Sequence, residues 1–322
     1  MSRMLRLGTA FVVALALSGV WAGGALGQAV QCGQVVTEDV TLESDLSCPA
    51  GSTALSIGAD GVVVDLNGHT ISADSLGGGT GIANTDGSHD VVIRNGTLSG
   101  FATGILLDSA SDNRLARLNI PFARGNGVLI SGGQRNVVRD STISSRGAGI
   151  DVRGSHVMRI VGNTVTATVS GTAMSLETGF SVIARNTATQ RFLSGVVVGG
   201  SFNRIVENRL NGGIGCDLLL YTGTNNRIAR NLVTDAVAGG GHADGICVAA
   251  DTTNTVLAHN GAAGNPDDGI DVASPSASLT RNVGNTNGDY GIEAVQGVVD
   301  AGGNHASGNG NPLQCLNVFC TP

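Results

Sequence analysis

Carboxylate side chains that could do chemistry are concentrated late in the sequence, at Asp244, Asp267, Asp268, Asp271 and Glu293. Carboxyl groups held close together suit proton transfer, because like charges favour protonation of one of them. Several carboxylate oxygens also suit a hard cation such as calcium. We therefore predict that Asp244, Asp268 and Asp271 are catalytic acid/base residues. With calcium as the alternative cofactor, Asp267, Asp268 and Asp271 are its predicted ligands.

An inserted loop directly precedes this cluster. The segment from Asn231 to Gly245 is five residues longer than the corresponding segment of most repeats, and it contains His242. Loops that project from a rigid scaffold commonly carry recognition residues. We predict that His242, Tyr290 and Glu293 contact the substrate.

Two charged surfaces also have purely structural interpretations. Outward acidic residues keep a sheet soluble and block pairing with other chains. A column of cationic side chains is equally ambiguous, because arginine stems can cover apolar strand surface or their guanidinium groups can bind a polyanionic glycan. The column contains Arg94, Arg117, Arg139, Arg185, Arg230, His259 and Arg281.

The elements that must position these residues are repeats of 22 or 23 residues. One position of each repeat is a small residue followed in most cases by an aliphatic one, at Ala54, Gly81, Gly104, Gly127, Gly149, Ala173, Gly195, Gly215, Gly245, Gly269 and Gly291. A second position is mostly asparagine, at Asn67, Asn95, Leu118, Asp140, Asn163, Asn186, Asn208, Asn231, Asn260, Asn282 and Asn304. A fixed period with short β-branched runs predicts a solenoid whose rungs are strands.

The physics of one rung explains these residue types. Strand side chains alternate between faces, so Ile150 and Val152 point inward and Asp151 points outward. An inward asparagine can satisfy backbone groups at a bend and hydrogen-bond its equivalent one rung away, which predicts an asparagine ladder. The alignment also predicts that Asp217 shares an outward column with Asp271 and Glu293.

The opening rung Val62–Ile71 (VVVDLNGHTI), the asparagines and the Gly-Ile starts resemble secreted right-handed parallel β-helix repeat proteins of the pectate-lyase-like superfamily. The resemblance implies an all-β fold, a single-stranded right-handed parallel β-helix of about eleven rungs. It also implies interaction with a polysaccharide, since relatives include lyases, hydrolases, epimerases and proteins without known chemistry. Whether this chain is an enzyme stays open at this point, and a non-catalytic structural or surface-interaction solenoid is the alternative.

The ends of the chain predict export. Arg3 and Arg6 precede an apolar run and small residues, the pattern of a secretory signal peptide, which we place at 1–28. We predict an N-terminal cap at 29–53, the parallel β-helix at 54–311 and a C-terminal cap at 312–322. An even number of cysteines in an exported protein favours disulfides. The expected pairs are Cys32–Cys48, Cys216–Cys247 and Cys315–Cys320.

Composition limits the partners. The chain has 18 basic residues, all arginine, and 25 acidic ones; removing Arg3 and Arg6 gives 16 − 25 = −9 for the exported form. An acidic chain without a basic tract is a poor nucleic-acid or membrane binder. Aromatic residues make up only 3% of the chain, which argues against a broad stacking platform for neutral sugars. We predict a secreted, extracellular or periplasmic monomer that binds an acidic polysaccharide and acts on it as lyase, hydrolase or epimerase if it is an enzyme.

Overall fold

The computed structural model describes residues 30–322 except 75–76, 170, 191–192 and 238–242. The predicted signal peptide and His242 therefore lie outside the described residues. Every regular element in the described part of the chain is a β-strand. None of these residues forms a helix of the length and apolarity needed to span a membrane.

The strands are short, and glycine, asparagine or serine commonly stands at the turns between them. In chain order they are β1 Gln34–Val36, β2 Val40–Thr41, β3 Leu46–Cys48, β4 Thr53–Ile57, β5 Val63–Asp65, β6 Thr70–Ala73, β7 Thr80–Asn84, β8 Val92–Ser99, β9 Thr103–Asp108, β10 Arg114–Ala123, β11 Val128–Ser131, β12 Val137–Arg139, β13 Thr142–Ser145, β14 Ile150–His156, β15 Arg159–Val161, β16 Thr164–Ala167, β17 Met174–Gly179, β18 Val182–Ala184, β19 Thr187–Gln190, β20 Val196–Gly199, β21 Arg204–Val206, β22 Arg209–Asn211, β23 Leu218–Thr224, β24 Arg227–Ala229, β25 Leu232–Thr234, β26 Ile246–Val248, β27 Thr252–Thr253, β28 Val256–Ala258, β29 Gly261–Ala263, β30 Ile270–Val272, β31 Ser278–Thr280, β32 Val283–Asn285, β33 Ile292–Ala294, β34 Val299–Asp300, β35 Asn304–Ser307, β36 Cys315–Leu316 and β37 Cys320–Thr321.

These strands stack as three parallel faces of a right-handed β-helix, which confirms the predicted fold. The first face has the strand order β1-β4-β7-β9-β11-β14-β17-β20-β23-β26-β30-β33-β36. The second face runs from β2 to β34 and the third from β3 to β37; the long strands β8 and β10 belong to both. The stacks extend beyond the eleven predicted rungs because β1 pairs with β4 and β33 pairs with β36.

The interior is a continuous aliphatic stack. Ile105, Val128, Ile150 and Met174 occupy successive rungs in register and are each at most 1% exposed. The preceding position is small because it lies beneath the next rung: a Cβ on Gly104 would lie 2.5 Å from the carbonyl oxygen of Gly127. A small residue therefore recurs before each aliphatic one because the backbones of consecutive rungs approach closely at that position.

The asparagine ladder is present, although its predicted start is wrong. Asn186 Nδ2 donates to Asn208 Oδ1 at 3.0 Å, and equivalent bonds link the column from Asn163 to Asn304. Asn67, Asn95 and Asp140 lie one position earlier in the rung, where the backbone is left-handed with φ of 50–61°. Asparagine and aspartate tolerate that conformation better than most residues, so both columns attract them.

That left-handed column also carries most of the predicted cationic stripe. Arg117, Arg185, Arg230, His259 and Arg281 have φ of 51–58° and are exposed. Arg94 and Arg139 lie on strands instead and bind Asp65 and Asp140, with N–O distances of 2.8 and 2.9 Å.

The three predicted disulfides are formed, Cys32–Cys48, Cys216–Cys247 and Cys315–Cys320. The first and last lie at the two ends of the solenoid, and the second joins consecutive rungs of the first face. No cysteine in the described residues is free.

Candidate functional site

The acidic residues Asp244, Asp267, Asp268, Asp271 and Glu293 lie around the last rungs of the first face; we call this group the acidic site. Asp268 stands just before β30, while Asp271 lies on β30 and Glu293 on β33. Asp271 and Glu293 are register partners on neighbouring strands, as their spacing predicts.

Two of these carboxyl groups are buried, which corrects the expectation that they face outward. Asp244 is 1% exposed and Asp268 is 3% exposed. Asp244 Oδ1 accepts a hydrogen bond from the backbone N–H of Asp268 at 2.9 Å, and Asp268 Oδ1 accepts one from Tyr290 N–H at 2.7 Å. Each aspartate therefore fixes the turn of the rung that follows, and Tyr290 contributes its backbone amide to the site.

Asp268 and Glu293 are neighbouring carboxyl groups, which we call the Asp268–Glu293 pair. Burial of Asp268, together with its hydrogen bond to Glu293 and the nearby charge of Asp244, raises the pKa of Asp268 above its ordinary range. A carboxyl whose pKa is raised in this way keeps its proton at a higher pH than usual. Asp268 can therefore act as a proton donor, and Glu293 beside it is half-buried.

Three carboxylates form a possible cation site, in which Asp244 takes the place that the sequence analysis gave to Asp271. One oxygen from each of Asp244, Asp267 and Asp268 lies within 4.8 Å of the others. Oxygen ligands of this kind suit calcium. Because a ligand carboxyl must be ionised, a cation here would displace the proton that the raised pKa keeps on Asp268. The same atoms can thus serve proton transfer or cation binding, in alternation.

The Cys216–Cys247 disulfide borders the acidic site. Cys247 is the register partner of Asp271, and its sulfur lies 3.5 Å from Asp244 Oδ2. Cys216 and Cys247 cannot act as metal ligands while they are bonded to each other. The bridge instead joins β26 to the turn before β23 and thereby holds the backbone that carries Asp244.

Asp217 is a buried carboxyl rather than the outward group that the sequence predicted. Leu218 pairs with Val196 and Ile246, so Asp217 occupies the small-residue position and Leu219 takes the outward column. Asp217 is 0% exposed; its Oδ1 accepts from Gly213 N–H at 2.5 Å, and its Oδ2 has no hydrogen-bond partner among the described residues. Burial raises its pKa to about 7. The usual nine-residue spacing from Asn208 places the small-residue position of this repeat at 217, whereas the sequence analysis assigned it to Gly215.

A second feature that the sequence did not suggest is an aromatic cleft formed by Phe180, Phe202, Tyr221, Glu177 and His156. It lies where the first face turns towards the second. The signal was available, because Phe180 and Phe202 are one period of 22 residues apart and must lie on consecutive rungs.

Comparisons with known proteins agree with this architecture. The family described as right handed beta helix region matches residues 80–233. The A-modules of the Azotobacter vinelandii mannuronan C-5 epimerases AlgE6 and AlgE4 superpose with TM-scores of 0.58 at 14% and 12% identity, each over 89% of this chain and 91% of the epimerase module. At such identities the similarity establishes the fold alone. No curated protein sequence matches this chain.

Proposed function

We propose that this protein is an exported polysaccharide-binding β-helix whose acidic site acts on a uronic-acid polymer by proton transfer. The observation that carries the proposal is the buried Asp268 carboxyl next to the half-buried Glu293, with Asp244 and Asp267 beside them. The mannuronan epimerases named above place polysaccharide chemistry on the same fold, which supports the substrate class.

The pair favours elimination or epimerisation over hydrolysis. Glycoside hydrolases hold their two carboxyl groups about 5–9.5 Å apart, whereas Glu293 is close enough to Asp268 to raise its pKa. In our proposal, ionised Glu293 takes the proton from the carbon next to the sugar carboxylate. Protonated Asp268 then gives a proton to the departing glycosidic oxygen, which breaks the chain. Epimerisation would instead need a second proton donor on the opposite side of the sugar ring. A cation held by Asp244, Asp267 and ionised Asp268 would compete with this step, because Asp268 must keep its proton in order to donate it.

The test uses mannuronan, guluronan and polygalacturonate, each with calcium and with a chelator. Ultraviolet absorbance detects unsaturated products of elimination, reducing-end assays detect hydrolysis, and proton NMR of the polymer detects epimerisation. We expect one of the first and third signals in the wild type, and at least a hundredfold loss in Asp268→Asn and Glu293→Gln. Asp251→Asn removes an exposed carboxylate near the same rungs and serves as the control.

The burial of the carboxyl groups sets the expected pH dependence. Asp268 must be protonated to donate, and its pKa is raised by burial and by Glu293. Activity should therefore persist above the ordinary carboxyl range and fall as the pH rises through the raised pKa of Asp268. A rate that rises steadily with pH would assign a different donor.

The alternative is a non-catalytic solenoid, and one observation favours it. Asp244 and Asp268 both accept backbone hydrogen bonds, so they also stabilise turns. If no polymer is turned over, and glycan binding is unchanged in Asp268→Asn, the acidic site is structural and the proposal is wrong.

Export is part of the same proposal. Three disulfides in one chain are typical of an oxidising compartment, and this supports the predicted signal peptide at 1–28. Mass spectrometry of the protein from the culture medium or periplasm, with its N-terminus sequenced, tests both statements. Full-length protein confined to the cytosol with reduced cysteines would contradict them.

A further inference from the structure

The aromatic cleft lies on the edge of the first face opposite the acidic site, where β17, β20 and β23 turn towards the second face. Its volume is about 440 Å³, within the range of small-molecule sites. Gly154, Gly179, Gly199 and Gly200 contribute to its lining, so much of its floor is backbone without side chains. Tyr221, Glu177 and the two phenylalanines provide the functional groups.

Phe180 and Phe202 form the wall. Their rings are stacked, with centroids 4.7 Å apart and planes 6° from parallel, yet the side chains are 59% and 46% exposed. Both residues adopt left-handed backbone conformations, with φ of 54° and 60°, which bulky residues rarely do. The fold does not require phenylalanine here, because Asn225 occupies the equivalent position of the next rung with φ of 56°.

Tyr221 forms the floor. A Cβ on Gly199 would overlap its ring, so the absence of a side chain at Gly199 lets Tyr221 lie across that strand. The hydroxyl then reaches Glu177, two strands away, and donates to its Oε1 at 3.4 Å. Burial and Glu177 together raise the pKa of Tyr221. The phenol is therefore a neutral donor held beside a carboxylate.

The charge of the cleft selects among glycans. Glu177 places a carboxylate inside it, while Arg153 at its border already binds Asp151 with an N–O distance of 2.6 Å. A uronate would thus meet the like charge of Glu177, and none of the described residues that line the cleft is an arginine or a lysine. A neutral pyranose suits the same groups, because its C–H face can pack on aromatic rings and its hydroxyls can donate to Glu177.

We propose that the aromatic cleft is a subsite for a neutral pyranose unit of a glycan. The proposal extends the proposed polysaccharide binding, but it uses none of the residues of the acidic site, so each can fail without the other. Phe180, Phe202 and Tyr221 are three of the nine phenylalanines and tyrosines of the chain (seven plus two). Aromatic residues are scarce overall, yet they are concentrated here.

Cellohexaose is the probe, because its equatorial hydroxyls leave apolar faces on each ring. Binding to the folded protein is measured by calorimetry and by saturation-transfer NMR. We expect Phe202→Ala and Phe180→Ala to weaken binding at least tenfold, and Phe202→Trp to retain it. Glu177→Ala should weaken binding similarly, whereas Glu177→Gln should keep most of it, since an amide oxygen still accepts from hydroxyls.

Phe319→Ala is the matched control, because Phe319 is 74% exposed and lies in the C-terminal segment away from the cleft. Thermal unfolding and size-exclusion chromatography of each variant separate lost binding from lost folding. The proposal is overturned if cellohexaose does not bind the wild type, or if Phe202→Ala binds it unchanged. It is also overturned if Phe202→Ala instead dissociates a dimer, since the ring pair would then be a contact between copies. Mannuronate oligomers should bind independently of Phe202 and depend on Asp268.

Discussion

Replacing Asp217 with asparagine should stabilise the protein at neutral pH and flatten its stability profile. Asp217 is fully buried, and burial is the main cause that raises its pKa from 3.8 to about 7. The folded protein therefore binds this proton more tightly than the unfolded chain does. A raised carboxyl pKa means that stability is greatest at low pH and is lost as the pH rises from about 4 through about 7.

The magnitude follows from the two pKa values. Ionising a carboxyl at pH 7 or above, when its pKa is 3.8 unfolded and about 7 folded, reduces the free energy of unfolding by roughly 4 kcal/mol. Asparagine mimics the protonated form, since its oxygen can still accept from Gly213 N–H. We expect Asp217→Asn to match the wild type within about 1 kcal/mol near pH 4 and to exceed it by about 2–4 kcal/mol near pH 8.

Urea unfolding followed by far-ultraviolet circular dichroism across this range, with disulfides intact, measures the effect. Asp86→Asn removes an exposed carboxylate and controls for the change in net charge. The reasoning is refuted if Asp217→Asn is less stable than the wild type at every pH, because Asp217 would then be ionised and held by a partner.

Two further predictions concern the scaffold. Asn208→Ala removes a ladder side chain whose Nδ2 donates to Ile183 O and Asn231 Oδ1 and whose Oδ1 accepts from Asn186. Urea unfolding should therefore show that the free energy of unfolding falls by about 2–4 kcal/mol. A fall below about 0.5 kcal/mol would show that water replaces the ladder hydrogen bonds. The intact exported protein should have the mass of the reduced chain minus six hydrogens, from its three disulfides, and a deficit of four hydrogens with Cys216 alkylated would remove the bridge beside the acidic site.

The fold was predictable because its signal is repeated in nearly every rung. Each small-aliphatic pair reports the same backbone approach, so one irregular rung does not obscure the period. Errors arose where one residue type suits two adjacent columns. Asparagine is favoured both in the ladder and at the left-handed position before it, and the sequence alone could not separate Asn95 from Asn163.

The sequence predicted which residues form the acidic site, but not which of their side chains are buried. Strand register correctly paired Asp271 with Glu293, because it depends on counting. Burial of Asp244 and Asp268 depends on where the turn directs each side chain, which alternation does not determine outside a strand. Predicting the aromatic cleft would also have required knowing that Gly199 leaves room for the Tyr221 ring.

Comparison with an earlier rung shows that the scaffold does not require carboxylates at the acidic site. At the position equivalent to Asp244, Asn126 Oδ1 accepts from the backbone N–H of Ala148 at 3.3 Å, so a neutral amide can make this turn. Two buried carboxyls in the same column therefore have no structural necessity, and Asp268 adds the energetic penalty of burial beside Glu293. We predict that the free energy of unfolding of Asp268→Asn lies within about 1 kcal/mol of the wild-type value near pH 6 and exceeds it near pH 8. The same variant should lose turnover. A loss of stability beyond about 3 kcal/mol that depends on calcium would instead make the carboxylates ligands of a structural ion.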